Sequence, residues 1–100
     1  MKFLMIIFSP DKPRATHLTS DATKNTAIEG FPLTFQCTAD SVPPPIFEIR
    51  FKGLSLGDSG NGKLTIQQVK ASDQGRYECV PRNILGTGRI ASLNLTVLGK

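Results

Sequence analysis

The sequence predicts an all-β fold, an antiparallel sandwich of two sheets, and three observations carry that reading. Short runs of alternating apolar and polar residues recur along the chain, each bounded by Gly, Pro, Asn or Asp. Helix signals are poor throughout, with nine Gly and seven Pro punctuating 100 residues. The stretch from Ala71 to Cys79 then reads as a tight corner entering a buried strand. Tyr77 and Cys79 are two apart and share one face of an extended segment, while Arg76 and Glu78 share the other. Asp73 and Gly75 fall in the preceding turn, where a short polar acceptor and a residue tolerant of positive φ let the chain reverse.

One hundred residues suffice for a single two-layer module and leave no room for a separate lid or cofactor domain. Twelve Lys and Arg against eight Asp and Glu give a formal charge of +4, scattered rather than run together, as on a solvated surface. The two cysteines, Cys37 and Cys79, permit one disulfide, which in a small domain without metal-ligand spacing is their leading use. A bridge closing a loop of about forty residues contributes on the order of 4 kcal/mol in the chain-entropy model. If it forms, it implies a secreted or cell-surface location.

Residues 1–13 are left unassigned. Met1 to Phe8 is apolar after Lys2, as in a leader peptide, but the apolar run is short and no small-x-small cleavage site follows. A partial leader, a mis-started end and an extra edge strand are all compatible with it. The domain is placed at 14–98. Arg14 to Thr26 reads as a linker into a first edge strand, with Thr16, Leu18 and Ala27 or Ile28 as its inward contributions. Leu33, Phe35, Cys37 and Ala39 alternate with polar residues in a half-buried strand, which Asp40 to Pro45 is expected to stop because its three prolines offer no amide donor.

Phe47, Ile49 and Phe51 then face inward, opposite Glu48, Arg50 and Lys52. Four glycines between Gly53 and Gly62, with the Asn61-Gly62 dipeptide, predict a short irregular edge followed by a hairpin. Leu64, Ile66 and, after a change of register, Val69 supply the next strand. Beyond the corner, Pro81 faces inward with Tyr77 and Cys79, and as a strand proline it predicts a local bulge. Asn83 to Gly88 forms a glycine-rich hairpin, and Ala91, Leu93, Leu95 and Val97 line the last strand.

The ordered set Glu29-Gly30, Leu33-x-Phe35-x-Cys37, Pro43-Pro44-Pro45, Leu64-x-Ile66-x-x-Val69, Asp73-x-Gly75-x-Tyr77-x-Cys79, Asn83-x-x-Gly86 and Leu93-x-Leu95-x-Val97 resembles an immunoglobulin domain of the intermediate (I-set) type. That resemblance covers about Arg14 to Leu98. It implies a Greek-key sandwich in which Cys37 bonds Cys79 across the two sheets and Tyr77 makes the family's tyrosine corner with Asp73 and Gly75. It also implies a role in protein recognition or cell adhesion, as part of a larger extracellular protein. The same family includes intracellular structural domains in tandem arrays, where the cysteines would stay reduced. One departure stands out: this protein has no Trp, and Ile49, twelve residues after Cys37, takes the place of the indole that usually covers the disulfide. Phe35, Phe47 and Phe51 are expected to help fill that space.

Three kinds of site remain. Asn94-Leu95-Thr96 is the one N-glycosylation sequon, and alternation turns Asn94 outward. Glu48, Arg50 and Lys52 should neighbour Arg76, Glu78, Val80 and Arg82 on an outward sheet face, with Arg89 near the last hairpin, a candidate partner surface of mixed charge with a basic excess. A protein partner, homophilic or heterophilic, is expected there, with an acidic glycan as a further class. Catalysis fails on inventory, because His17 is the only histidine. Gly60-Asn61-Gly62-Lys63 lacks the Ser or Thr and the helix of a phosphate loop. No cofactor, metal, nucleic acid or membrane insertion of this segment is expected: the basic face has no stacking aromatics, and no apolar run approaches eighteen residues.

Overall fold

The computed structural model of the chain describes residues 10–100, so the reading of Met1 to Phe8 as a leader lies outside the described residues. The strands are β1 (Asp11–Ser20), β2 (Thr26–Ile28), β3 (Leu33–Val42), β4 (Ile46–Phe51), β5 (Leu54–Ser59), β6 (Lys63–Ile66), β7 (Gly75–Asn83), β8 (Gly86–Thr87) and β9 (Ala91–Leu98). Single 3-10 turns at Thr23–Asn25 and Ala71–Asp73 are the helical elements among the described residues. One sheet runs β1-β3-β6; the other runs β2-β9-β7-β4-β5, with β8 paired to β7. Neighbours are antiparallel except β2 and β9, which run parallel.

Alternation decides which side chains meet between the layers. The first sheet contributes Leu18, Leu33, Phe35 and Cys37, and the second contributes Phe47, Ile49, Tyr77, Cys79, Leu93 and Leu95. Cys37 on β3 is bonded to Cys79 on β7, with Cα atoms 6.4 Å apart. Ile49 lies directly opposite Cys79 in the β4–β7 register and is buried. Its burial contributes about 2 kcal/mol. Phe35 and Phe47 are buried and Phe51 is half-buried. The Phe35 and Phe51 ring centroids each lie 4.4 Å from that of Tyr77, so two of the phenylalanines pack on the tyrosine ring.

The structure departs from the sequence reading in three places. The stretch read as a linker is mostly strand: β1 opens at Asp11, three residues ahead of Arg14, and β3 runs on to Val42 rather than stopping at Asp40. Each end supplies the other's partner, since Asp11 pairs with Val42 and Arg14 with Asp40, while two register shifts and a positive φ at Ala15 absorb the irregular sequence.

The glycine-rich link after β5 is not a hairpin. It carries the chain from one sheet to the other, because β5 pairs with β4 and β6 pairs with β3. Gly62 is needed there: its φ is +72°, its carbonyl accepts from Cys37 N at 2.8 Å, and a Cβ would lie 2.2 Å from the Cys37 oxygen.

The bulge expected at Pro81 lies in the facing strand instead, where three residues, 88–90, stand between Cys79↔Ala91 and Arg82↔Thr87 against two of β7. The β4–β7 register runs unbroken from Ile46↔Arg82 to Phe51↔Tyr77. On the other side, pairing with β9 ends at Cys79 and pairing with β8 begins at Arg82. The Pro81 carbonyl accepts from Gly88 N at 2.9 Å on that side. The N and C=O of one strand residue point the same way, so the missing donor faces this gap and costs no bond to β4.

Candidate functional site

The corner is built from local bonds. Lys70 N donates to Asp73 Oδ2 at 2.7 Å and Asp73 N donates to Lys70 O at 2.9 Å, closing a single turn. The Tyr77 hydroxyl donates to the Asp73 carbonyl at 2.6 Å, so the bond expected to run back upstream is present. Gly75 holds φ +144° against Phe51, whose Cε1 would be 3.0 Å from a Cβ there. Burial, with a smaller contribution from the Asp73 carboxylate, pushes the Tyr77 phenol up to about 12. A tyrosine so placed stays protonated at neutral pH and holds the corner together.

The outer face of β4, β5 and β7 carries the exposed charges. Glu48 Oε1 accepts from Arg50 Nη2 at 3.0 Å and from Arg82 Nη1 at 2.9 Å, and Arg82 Nη2 reaches Asp58 Oδ2 at 3.2 Å. Arg76 and Glu78 approach to 3.9 Å. The register explains the network: Arg50 stands opposite Glu78, and Glu48 stands between Val80 on β7 and Asp58 on β5. The Glu48 side chain is 12% exposed, against 40% for Arg50 and 37% for Arg82. Hydrogen bonds from Arg50, then Ser55 and Arg82, outweigh the cost of burial and hold the Glu48 carboxyl down at about 2. Val80, on this same face, is only 4% exposed and lies apart from the central core.

Two corrections follow for the predicted face. Lys52 is not on it. Lys52 and Gly53 form the two-residue turn between β4 and β5, both with positive φ, and Lys52 Nζ sits 5.0 Å from the Phe51 ring centroid. Asp58, which the sequence reading passed over, joins it instead. Its place was hard to read because the β4–β5 register shifts between Glu48 and Arg50, which breaks simple alternation along β5. With that exchange, Arg50, Arg76 and Arg82 stand beside Glu48, Asp58 and Glu78.

Asn94 is exposed on β9, opposite Arg76, with its side chain on the solvent side. His17 is exposed on β1. A hollow of about 280 Å³ is lined by Pro43, Pro44, Ile46, Arg82, Asn83 and Ile84 at one end of the sandwich, and another of about 260 Å³ by Ala22, Ala27, Ile28, Phe31 and Leu33 among others. Asp21 and Thr26 also line the second hollow, where Asp21 Oδ1 accepts from Thr34 N at 3.0 Å and Thr26 Oγ1 donates to Lys24 O at 3.3 Å. Among the described residues, no three His, Cys, Asp or Glu side chains are grouped to hold a metal ion, and no helix is long and apolar enough to cross a membrane.

Comparison with known proteins agrees with this geometry. Residues 12–83 match the immunoglobulin domain family. The chain is 34% identical over 93 residues, 86% of its length, to a human protein described as probable oxidoreductase PXDNL, and 31% identical over 86 residues, 80% of its length, to human neural cell adhesion molecule L1. These matches span 6% and 7% of the relatives, so the chain corresponds to a small part of each. The structure superposes on the N-terminal four immunoglobulin domains of Dscam1 isoform 6.9 with a TM-score of 0.67 and 26% identity, covering 83% of this chain and 21% of that one. The ectodomain of mouse nectin-like molecule 4 gives a TM-score of 0.70 over 88% of this chain and 31% of that one, and at 23% identity this is a likeness of fold. With the corner, the inter-sheet disulfide and the two-sheet strand order in place, the family match identifies the chain as an immunoglobulin domain.

Proposed function

We propose that the chain is a non-catalytic extracellular recognition module, part of a longer cell-surface or secreted protein, that binds a protein partner through the outer face of β4, β5 and β7. The observation that carries this reading is the arrangement around Glu48. One nearly covered carboxylate holds two arginines from two strands, so the guanidinium groups are presented in a fixed geometry rather than as mobile surface charges. A face of mixed charge favours orientation and specificity over bulk attraction, which supports a protein partner. The disulfide supports an oxidising location and stands against the intracellular structural reading. Asn94 is the proposed glycan acceptor on the secreted form.

The test is capture of a panel of extracellular receptor ectodomains by the multimerised domain, with wild type compared with Arg50→Glu/Arg82→Glu. Capture that the double charge reversal abolishes, with the thermal melt kept near wild type, supports the face as the site. Capture unchanged by the reversal overturns it.

A further inference from the structure

We propose that β5 is a self-association edge: two copies of the chain join β5 to β5 in antiparallel register about a two-fold axis, continuing the larger sheet from one molecule into the next. This deepens the protein-binding reading by naming the partner as a second copy.

The first argument is a comparison of edges. An unpaired strand edge recruits other strands unless something blunts it, commonly Lys or another charge, Pro, a bulge, a covering element or extreme shortness. Three of the four outer strands are defended in that way. β1 carries Lys12, Pro13 and Arg14; β6 opens on Lys63 and is four residues long; β2 is three residues long. β5 reads Leu-Ser-Leu-Gly-Asp-Ser over six residues, is paired on one side only, and has neither Lys nor Pro; its own blunting features are Asp58 and the register shift between its pairings with Glu48 and Arg50.

The second argument is an overhang. Leu54 lies opposite Phe51 and so on the inward side of its sheet, yet it is 72% exposed, and Leu56 is 42% exposed. The facing sheet ends at β6, and the element that β5 chiefly packs on is its sheet neighbour β4. A second copy supplies apolar surface where the sandwich has none.

The third argument is complementarity. An axis between Leu56 and Gly57 sets Leu54 opposite Ser59 of the second copy, and Ser55 opposite Asp58 of the second copy. Within one molecule Leu54 and Ser59 stand beside inward Phe51 and Phe47, while Ser55 and Asp58 stand beside outward Arg50 and Glu48. Both of these pairs therefore match, inward with inward and outward with outward. Asp58 of each copy also falls in the row of Ser55 and Arg50 of the other, within reach of an arginine that is 40% exposed. The positive φ of Gly57 and the register shift lie at the axis, leaving the residues on either side to pair. A contact of six residues per chain falls below the roughly 1,200 Å² of standard stable interfaces, so the association is weak in solution and gains from multivalent display.

The experiment uses the oxidised chain. Sedimentation equilibrium up to millimolar concentration is expected to show a reversible dimer that Leu54→Lys abolishes while the melt stays near wild type. Mild oxidation of an equimolar mixture of Ser55→Cys and Asp58→Cys chains is expected to give a covalent heterodimer far exceeding the dimer from either variant alone. A wild type that stays monomeric throughout, or equal cross-linking in the single-variant controls, overturns the proposal. Leu54 lies off the outer face, so a Leu54→Lys chain that still captures a receptor ectodomain leaves the recognition reading standing. A wild type that dimerises but captures none sinks heterotypic recognition and leaves the edge.

Discussion

The inner and outer faces of β7 alternate residue by residue, yet different forces hold them. Inward, Tyr77 and Cys79 are 1% and 0% exposed, fixed by two aromatic rings, a hydroxyl bond and a covalent bridge. Outward, Arg76, Glu78 and Arg82 are held by charge pairing at 2.9 to 3.9 Å, in contact with water. The inner positions are specified by shape and by the cost of leaving a polar group unsatisfied; the outer ones are specified mainly by one another. The same strand can therefore keep its fold constant on one side and carry recognition on the other.

The sharpest way to break that comparison is to put an outer-type residue on the inner face. Ile49→Asp buries a carboxylate beside Cys79 with no cation in reach of the core, and a loss of more than about 4 kcal/mol is expected, enough to unfold a domain of this size. Urea melts followed by tyrosine fluorescence measure it. A loss below about 1 kcal/mol shows that the position tolerates charge and that the two faces are not distinct.

A smaller effect isolates the polar part of the inner face. Tyr77→Phe keeps the stacked ring and removes the bond to the Asp73 carbonyl, for an expected loss of about 1 kcal/mol. It also carries a pH signature. The phenol is raised from 10.0 to about 12 in the folded state, so its contribution is complete below pH 10 and is lost as pH rises through about 12. The wild type should lose stability across that window, and the difference between it and Tyr77→Phe should narrow there. A difference constant from pH 8 to pH 12 contradicts the assignment.

The inner face was also the legible one. Spacing of two between Tyr77 and Cys79, and between Phe47, Ile49 and Phe51, fixes their orientation because a one-residue slip would expose all of them together. The outer face was legible only in part. Glu48, Arg50 and Arg82 fall where alternation puts them. Lys52 does not, because the two-residue turn begins at the last position of the charged pattern, and Asp58 arrives from a strand whose bulge hides its phase. The pairing of Asp11 with Val42, 31 residues away, and the crossing of the Ser59–Gly62 link between sheets are long-range matters that no local pattern announces.

The smallest expected effect, and the one that most sharpens the comparison, concerns the hub of the outer face. Glu48→Gln keeps the shape of the side chain and removes its charge. The expected loss at pH 7 is about 0.5 kcal/mol, because Arg50 and Arg82 are each more than a third exposed and water and salt screen the attraction. The Glu48 carboxyl is depressed from 4.5 to about 2 in the folded state. Its contribution is therefore present above pH 4.5 and is lost as pH falls toward 2, where Glu48 takes up a proton and releases the two arginines. Melts between pH 7 and pH 2 should show wild type and Glu48→Gln converging below pH 4.5, while Tyr77→Phe keeps its offset through the same range. Raising salt should shrink the Glu48 difference and leave that of Tyr77 unchanged, since only the first is an exposed Coulombic interaction. A Glu48→Gln loss as large as that of Ile49→Asp, or one indifferent to salt, means that the outer face is a second core and that its charges are not free to serve recognition.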